Sequence, residues 1–167
     1  MAISTGRIFP TQTIEVDAGV TSMNIATLRY PGQLGQFLEK DGKLYQVVLV
    51  KSTSANLANG TVVMWSDYDD MTVSSVVADA KRNHVAGVGL GTVTAGNYGF
   101  IQVAGPHSAV VSTGTFANGD AVIMSATDGT CGVVAAGTAP TYALLGFATA
   151  ADSANKVATQ IRVALNC

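Results

Sequence analysis

From residue 43 onward, apolar residues arrive in short β-branched or aromatic bursts separated by turn dipeptides. Lys43-Leu-Tyr-Gln-Val-Val-Leu-Val50, Thr61-Val-Val-Met-Trp65, Thr72-Val-Ser-Ser-Val-Val77, Tyr98-Gly-Phe-Ile-Gln-Val103, Ala109-Val-Val-Ser112 and Gln160-Ile-Arg-Val-Ala-Leu165 each suit a strand. Asn-Gly, Asp-Gly and Ala-Gly pairs punctuate them, the spacing expected of an all-β sandwich or barrel. The chain's 18 glycines agree, because closing a small barrel calls for turns at positive φ and for bulges. No window of a dozen residues carries a 3.6-residue apolar stripe, and the best helical turn is Ala78–Asn83. The pattern predicts an all-β fold.

The bursts also repeat. Leu57-Ala-Asn-Gly-Thr-Val-Val-Met-Trp65 recurs as Phe116-Ala-Asn-Gly-Asp-Ala-Val-Ile-Met124, which sets Asn59-Gly60 on Asn118-Gly119 at an offset of 59. Val85-Ala-Gly-Val88 falls on Leu144-Leu-Gly-Phe147 at the same offset, and Ile101-Gln-Val-Ala104 falls on Ile161-Arg-Val-Ala164 at 60. Two units, 57–104 and 116–164, are too few for a solenoid. They predict one small β-barrel or sandwich over residues 35–167, in which Val63, Trp65, Val122 and Met124 line a common core. Asp41-Gly42, between Phe37-Leu38 and Leu44-Tyr45, predicts a type I′ hairpin at its start.

Residues 1–34 have no partner in the repeat, contain Pro10 and Pro31, and scatter single hydrophobes. They read as an extended N-terminal arm in which Ile8-Phe9 and Thr13-Ile-Glu-Val16 could pair. Such a segment gains order by laying apolar side chains on a neighbouring protein. Ile8, Phe9, Ile14 and Tyr30 are its expected partner-binding residues.

Composition narrows the function. Charged residues form 12% of the 167, about half the usual share, and mean hydropathy is +0.33. Ser, Thr, Asn, Gly and Ala must cover the surface, as at interfaces depleted in charge. A homo-oligomer is expected, since a monomer this apolar exposes large patches. A net charge of −2 argues against nucleic acid. Apolar runs such as Val47–Val50 and Val133–Ala136 are far shorter than a membrane span of about 20 residues. Met1-Ala-Ile-Ser-Thr-Gly-Arg7 lacks an apolar signal region, so synthesis in a cytoplasm is expected.

No chemical motif outweighs its structural explanation. Gly87-Val-Gly-Leu-Gly91 lacks the third glycine of a dinucleotide loop and is followed by turn and strand residues, so tight turns explain it. Asp67-Tyr-Asp69-Asp70 lacks the glycine and distal Glu of a calcium loop and reads as an acidic solvent loop. His107 and Ser108 are adjacent and would point to opposite faces of a strand, which prevents their pairing. The cluster Lys81-Arg82 beside His84 reads as a solvated turn. Cys131 and Cys167 form no CxxC; a zinc site is not expected, and a disulfide between them is possible but unneeded at this size. The expectation is no enzyme, no cofactor, no metal and no small-molecule substrate.

Three segments carry a family resemblance: Val85-Ala-Gly-Val-Gly-Leu-Gly91, Ala95-Gly-Asn-Tyr-Gly-Phe-Ile-Gln-Val-Ala-Gly105 and Ala117-Asn-Gly-Asp-Ala-Val122. Over about residues 43–165 the chain resembles capsid decoration (cement) proteins of tailed bacteriophages. The resemblance rests on glycine and apolar spacing and brings no functional residue with it. It implies a virion protein on the outer surface of an icosahedral capsid, usually a homotrimer, that clamps neighbouring major capsid proteins. The alternative is a β-barrel receptor- or carbohydrate-binding module of a virion fibre.

Overall fold

The computed structural model describes residues 7–8, 12–13, 22–23, 34–79, 84–134 and 138–163. Its strands are β1 (Arg7–Ile8), β2 (Gln12–Thr13), β3 (Ser22–Met23), β4 (Phe37–Lys40), β5 (Lys43–Val50), β6 (Val62–Asp67) and β7 (Thr72–Ser74). They continue as β8 (Val85–Gly89), β9 (Tyr98–Val111), β10 (Ala121–Met124), β11 (Cys131–Val133), β12 (Leu144–Ala148) and β13 (Lys156–Arg162). The fold is all-β, with no helix among the described residues.

Asp41 (φ 52°) and Gly42 (φ 71°) both take the left-handed conformation that a type I′ turn needs, and they join β4 to β5 in register Lys40↔Lys43. Beyond that hairpin, β5, β7, β6, β8 and β9 close into a five-stranded barrel, because β9 pairs with both β8 and β5. The β5–β7 pair is parallel and the others are antiparallel.

Four strands of the second half keep the order of four in the first. The order β7-β6-β8-β9 is matched by β11-β10-β12-β13. Val62↔Val88, Val63↔Gly87 and Met64↔Val85, with a bulge after Val63, correspond at the offset of 59 to Ala121↔Phe147, Val122↔Gly146 and Ile123↔Leu144, with a bulge after Val122. The last strand is displaced relative to the sequence alignment. Val88 faces Gln102 while Phe147 faces Gln160, so an offset of 58 replaces 60 there, a two-residue slip that keeps every side chain on its face. A parallel bridge, Ser112↔Cys131, and a hydrogen bond from the Thr113 N–H to the Cys131 carbonyl (2.8 Å) bring β11 back to the end of β9.

Several strand expectations need correction. Tyr98–Val103 and Ala109–Val111 belong to one strand, β9, which runs on through Gly105 and Pro106, with Ser112 just beyond its end. Pro106 is tolerated because the described residues pair with this part of β9 on one side only, through β13. Gly87 and Gly89, read as turn glycines, lie in β8. A Cβ on Gly87 would stand 2.5 Å from the Gln102 carbonyl oxygen, so glycine is there for the close approach of β9. The β7 strand ends at Ser74, and β13 begins at Lys156. Of the expected helical turn at 78–83, Ala78 and Asp79 form a turn and the rest lies outside the described residues.

Val63, Trp65, Val122 and Met124 do not share a core. Val63 and Trp65 point into the barrel with Val48, Val50, Leu57, Val73, Ala86, Ile101 and Val103. Val122 and Met124 belong to a second cluster with Phe116, Leu145, Val157 and Ile161, which also takes Val62, Met64, Val85 and Val88 from the outward faces of β6 and β8. Those two strands are therefore buried on both faces, which is why Val62–Trp65 is an unbroken apolar run and not an alternating one.

Candidate interaction surface

The repeated turn shows what its polar residues are for. Gly60 (φ 86°) and Gly119 (φ 91°) supply left-handed backbone, and their N–H groups donate to Gly89 (2.9 Å) and Ala148 (2.8 Å). The side chain that follows pins each turn: Thr61 Oγ1 accepts from the Ala58 N–H (3.1 Å) and Asp120 Oδ2 from the Ala117 N–H (2.7 Å). Leu57 N–H donates to the Val93 carbonyl (2.9 Å), whereas Phe116 N–H donates to the Asp152 carboxylate (2.8 Å). Asp128 likewise accepts from the Val77 N–H (2.7 Å). Three of the chain's aspartates thus hold backbone in place.

Of the candidate residues, His84 lies against Tyr68 of the acidic loop, and Lys81 and Arg82 are outside the described residues. Asp67 turns back to accept from the Asp69 N–H (2.9 Å), and Met71 (φ 48°) completes that loop. Among the described residues no three His, Cys, Asp or Glu side chains gather as a metal ion requires. His107 is buried and Ser108 exposed, on opposite faces of β9. Cys131 is a free thiol in the second core, and burial pushes it up to about 12, which leaves it inert as a nucleophile. Cys167 lies outside the described residues. Trp65, Tyr68 and His84 make tilted ring contacts with successive centroids 5.4 Å apart, but Trp65 belongs to the barrel core. Asp79 accepts from Thr53 Oγ1 (2.7 Å) and lies 3.6 Å from Lys51 Nζ; the Thr53 bond first, then Lys51, holds its carboxyl below the usual range.

His107 has a consequence for stability. Its Nδ1 accepts from the Ala109 N–H (3.2 Å), and burial, then the nearby Lys43 charge, lower its pKa from 6.5 to about 4. The folded state keeps the imidazole neutral, so between pH 6.5 and 4 the unfolded chain binds more protons. Stability is therefore full above pH 6.5 and falls as the pH drops through that window, by at most about 3 kcal/mol. Urea midpoints measured from pH 8 to 4 should show this fall, and His107→Gln should flatten it; parallel curves would sink the assignment.

Of the expected partner-binding residues, Ile8 sits in β1, whose register Ile8↔Gln12 pairs it with β2, while Phe9, Ile14 and Tyr30 lie outside the described residues. In the same stretch, Ser22 and Met23 pair with Gly99 and Tyr98 of β9. The surface that stands out was not singled out from the sequence. Ala121, Phe147, Gln160 and Pro106 lie in one row across β10, β12, β13 and β9, with Leu144 and Ile123 in a neighbouring row. Phe147 is 40% and Leu144 36% exposed. With Phe37 they are the exposed large hydrophobics among the described residues.

No family model matches this chain, and no curated protein matches it. Among solved structures, the crystal structure of head fiber gp8.5 N base in bacteriophage phi29 aligns with a TM-score of 0.46 at 17% identity, covering 75% of this chain and 99% of that one. No residue role is carried over from it.

Proposed function

We propose that the chain is a structural virion protein that decorates the outside of an icosahedral phage capsid and stabilises it by clamping neighbouring major capsid proteins. The observation that carries this reading is where the polar groups go. Asp120, Asp128 and Asp152 hold turns and loops, His107 is buried in a strand, and a chain low in charge carries exposed Leu144 and Phe147 on β12. That suits a protein made to be covered by protein. The family resemblance of residues 43–165 supports the same reading. No catalytic step, cofactor or small-molecule substrate is part of it.

Attachment would work by multivalency. A homo-oligomer touching several shell subunits converts weak contacts into firm attachment through effective concentration. Because it binds the assembled lattice and not free subunits, it stabilises the shell by mass action. Residues 1–34 supply a tie to a neighbour, with Ile8, Phe9, Ile14 and Tyr30 as anchors. Co-sedimentation with expanded shells is the test. The full chain should pellet with shells and raise their melting temperature, and a chain lacking residues 2–30 should bind more weakly. A chain that stays in the supernatant but binds on a glycan array would replace this reading with a fibre receptor- or carbohydrate-binding module.

A further inference from the structure

The two units differ on the side of β5 and β9 turned away from the barrel interior. Val48, Val50, Ile101 and Val103 point into the barrel, so Val47 and Phe100, which pair with each other, point out. An outward pair would ordinarily meet water, yet Val47 is 0% and Phe100 1% exposed, and neither belongs to either core cluster. In the second unit β9 stands to β13 and β11 as β5 stands to β9 and β7. Val111↔Lys156 repeats Leu49↔Tyr98, and Ser112↔Cys131 repeats Val50↔Val73. At those offsets of 62 and 58, Val47 and Phe100 fall on Ala109 and Ala158, both half-buried. The first unit carries bulk where it is sealed, and the second carries alanine where it is not.

The margin of this face differs in the same way. Beside Lys156 the second unit places its own Ser153, through hydrogen bonds of 2.9 and 3.0 Å. In the first unit the equivalent loop turns away: the Ala95 N–H donates to Asn56 Oδ1 (3.0 Å) and the Gly96 N–H to the Val50 carbonyl (2.8 Å). The place beside Tyr98 goes to a distant strand, β3, with Met23 opposite Tyr98 and Ser22 opposite Gly99. At the other margin, the Gly35 N–H donates to the Val47 carbonyl (2.8 Å). The chain between Met23 and Leu34 therefore starts on one side of the Val47–Phe100 face and ends on the other. From β3 across β9 and β5 to the line of β4 is three strand spacings, roughly 15 Å, and ten residues reach up to about 35 Å. Residues 24–33 lie outside the described residues; their sequence suits the crossing, with Ile25 and Leu28 apolar and no carboxylate among them.

We propose that the Val47–Phe100 face is the seat of residues 24–33 of the same chain, which cross from β3 to β4 and lay Ile25 and Leu28 on Phe100 and Val47. The N-terminal segment is thereby strapped to its own barrel. One consequence rests on the tie to a neighbour in the proposed function: Ile14 stands eight residues before Ser22, so its contact lies within about 28 Å of the Tyr98 end of β9. The strap itself needs no shell, and its test uses the purified full chain alone.

Leu28→Asp should lower the urea midpoint by roughly 1 M, and Ile25→Asp should lower it too, whereas Ile14→Asp should leave it unchanged. With Cys167→Ser removing the terminal thiol, Met23→Cys and Tyr98→Cys together should oxidise to a disulfide within one chain, read as a reducible species of monomer mass. A disulfide joining two chains would overturn the proposal and give the face to residues 24–33 of a second copy. Wild-type midpoints for Leu28→Asp and Ile25→Asp would overturn it as well. If the cysteine pair misfolds, hydrogen exchange on the wild-type chain decides. Amides in 24–33 should exchange about tenfold or more slowly than those in 14–20, and equal rates would sink the strap.

Discussion

Replacing Gly146 with alanine is expected to cost about 3 kcal/mol, more than most surface changes on this protein. Gly146 pairs with Val122 on one side and Ile161 on the other. A Cβ built there would collide with the carbonyl oxygen of Gln160, and Ile161 Cα is 3.1 Å away. Both are backbone atoms of a paired strand, so no rotamer change relieves the contact. Gly87 stands in the same relation to Gln102 in the first unit, and Gly87→Ala should destabilise in the same direction. Gly132 provides the control, because its Cβ would find nothing nearer than Ser125 at 3.8 Å. Gly132→Ala should change stability by less than about 0.5 kcal/mol. Urea denaturation of the three variants decides it: equal midpoints for Gly146→Ala and Gly132→Ala would mean that β13 yields without cost.

The pairing of these glycines explains how much of the fold the sequence reveals. The offset of 59 is visible in the residues because each unit has the same demands: a left-handed turn residue at Gly60 and Gly119, and a bare backbone at Gly87 and Gly146 where the next strand crosses. The turn at Asp41-Gly42 is legible for the same reason, since two successive positive φ values restrict the residue types severely. The glycine-rich β8 misleads, because a residue chosen for close approach looks like one chosen for a turn. The break between Val103 and Ala109 misleads likewise, since sequence alone does not show that β9 runs on through Gly105 and Pro106.

The division into two cores is hidden for a different reason. Period-two alternation assigns side chains to faces but does not say which faces are covered. Val62 and Met64 alternate with Val63 and Trp65, and both sets are apolar because the second half packs on the outside of the barrel wall. The exposed face at Leu144 and Phe147 escapes alternation altogether: these residues are three apart, and the bulge opposite Val122 and Ile123 shifts the register between them. It becomes a candidate interface only when the strand registers place the two in neighbouring rows. The partner residues expected at Phe9, Ile14 and Tyr30 rest on the apolar content of a segment without a repeat partner.

Phe116→Ala should be the most damaging core truncation, costing about 4 kcal/mol, with Leu57→Ala about 3 kcal/mol. These residues hold equivalent places, just before the repeated Asn-Gly turn, and both are fully buried, Phe116 in the second core and Leu57 inside the barrel. The shared strands decide how the damage spreads. Val62, Met64, Val85 and Val88 pack in the core with Phe116, while Val63, Trp65 and Ala86 of the same strands face Leu57's core. Strand β9 runs through both halves. Neither core can open without exposing the wall of the other, so the chain should unfold in one transition. Trp65, the chain's one tryptophan, sits in the first core and reports on it selectively. In Phe116→Ala, Trp65 fluorescence and far-ultraviolet circular dichroism should therefore shift together to a lower denaturant midpoint. If the fluorescence midpoint stayed at its wild-type value while the dichroism midpoint fell, the two halves would be separate folding units joined by a common strand.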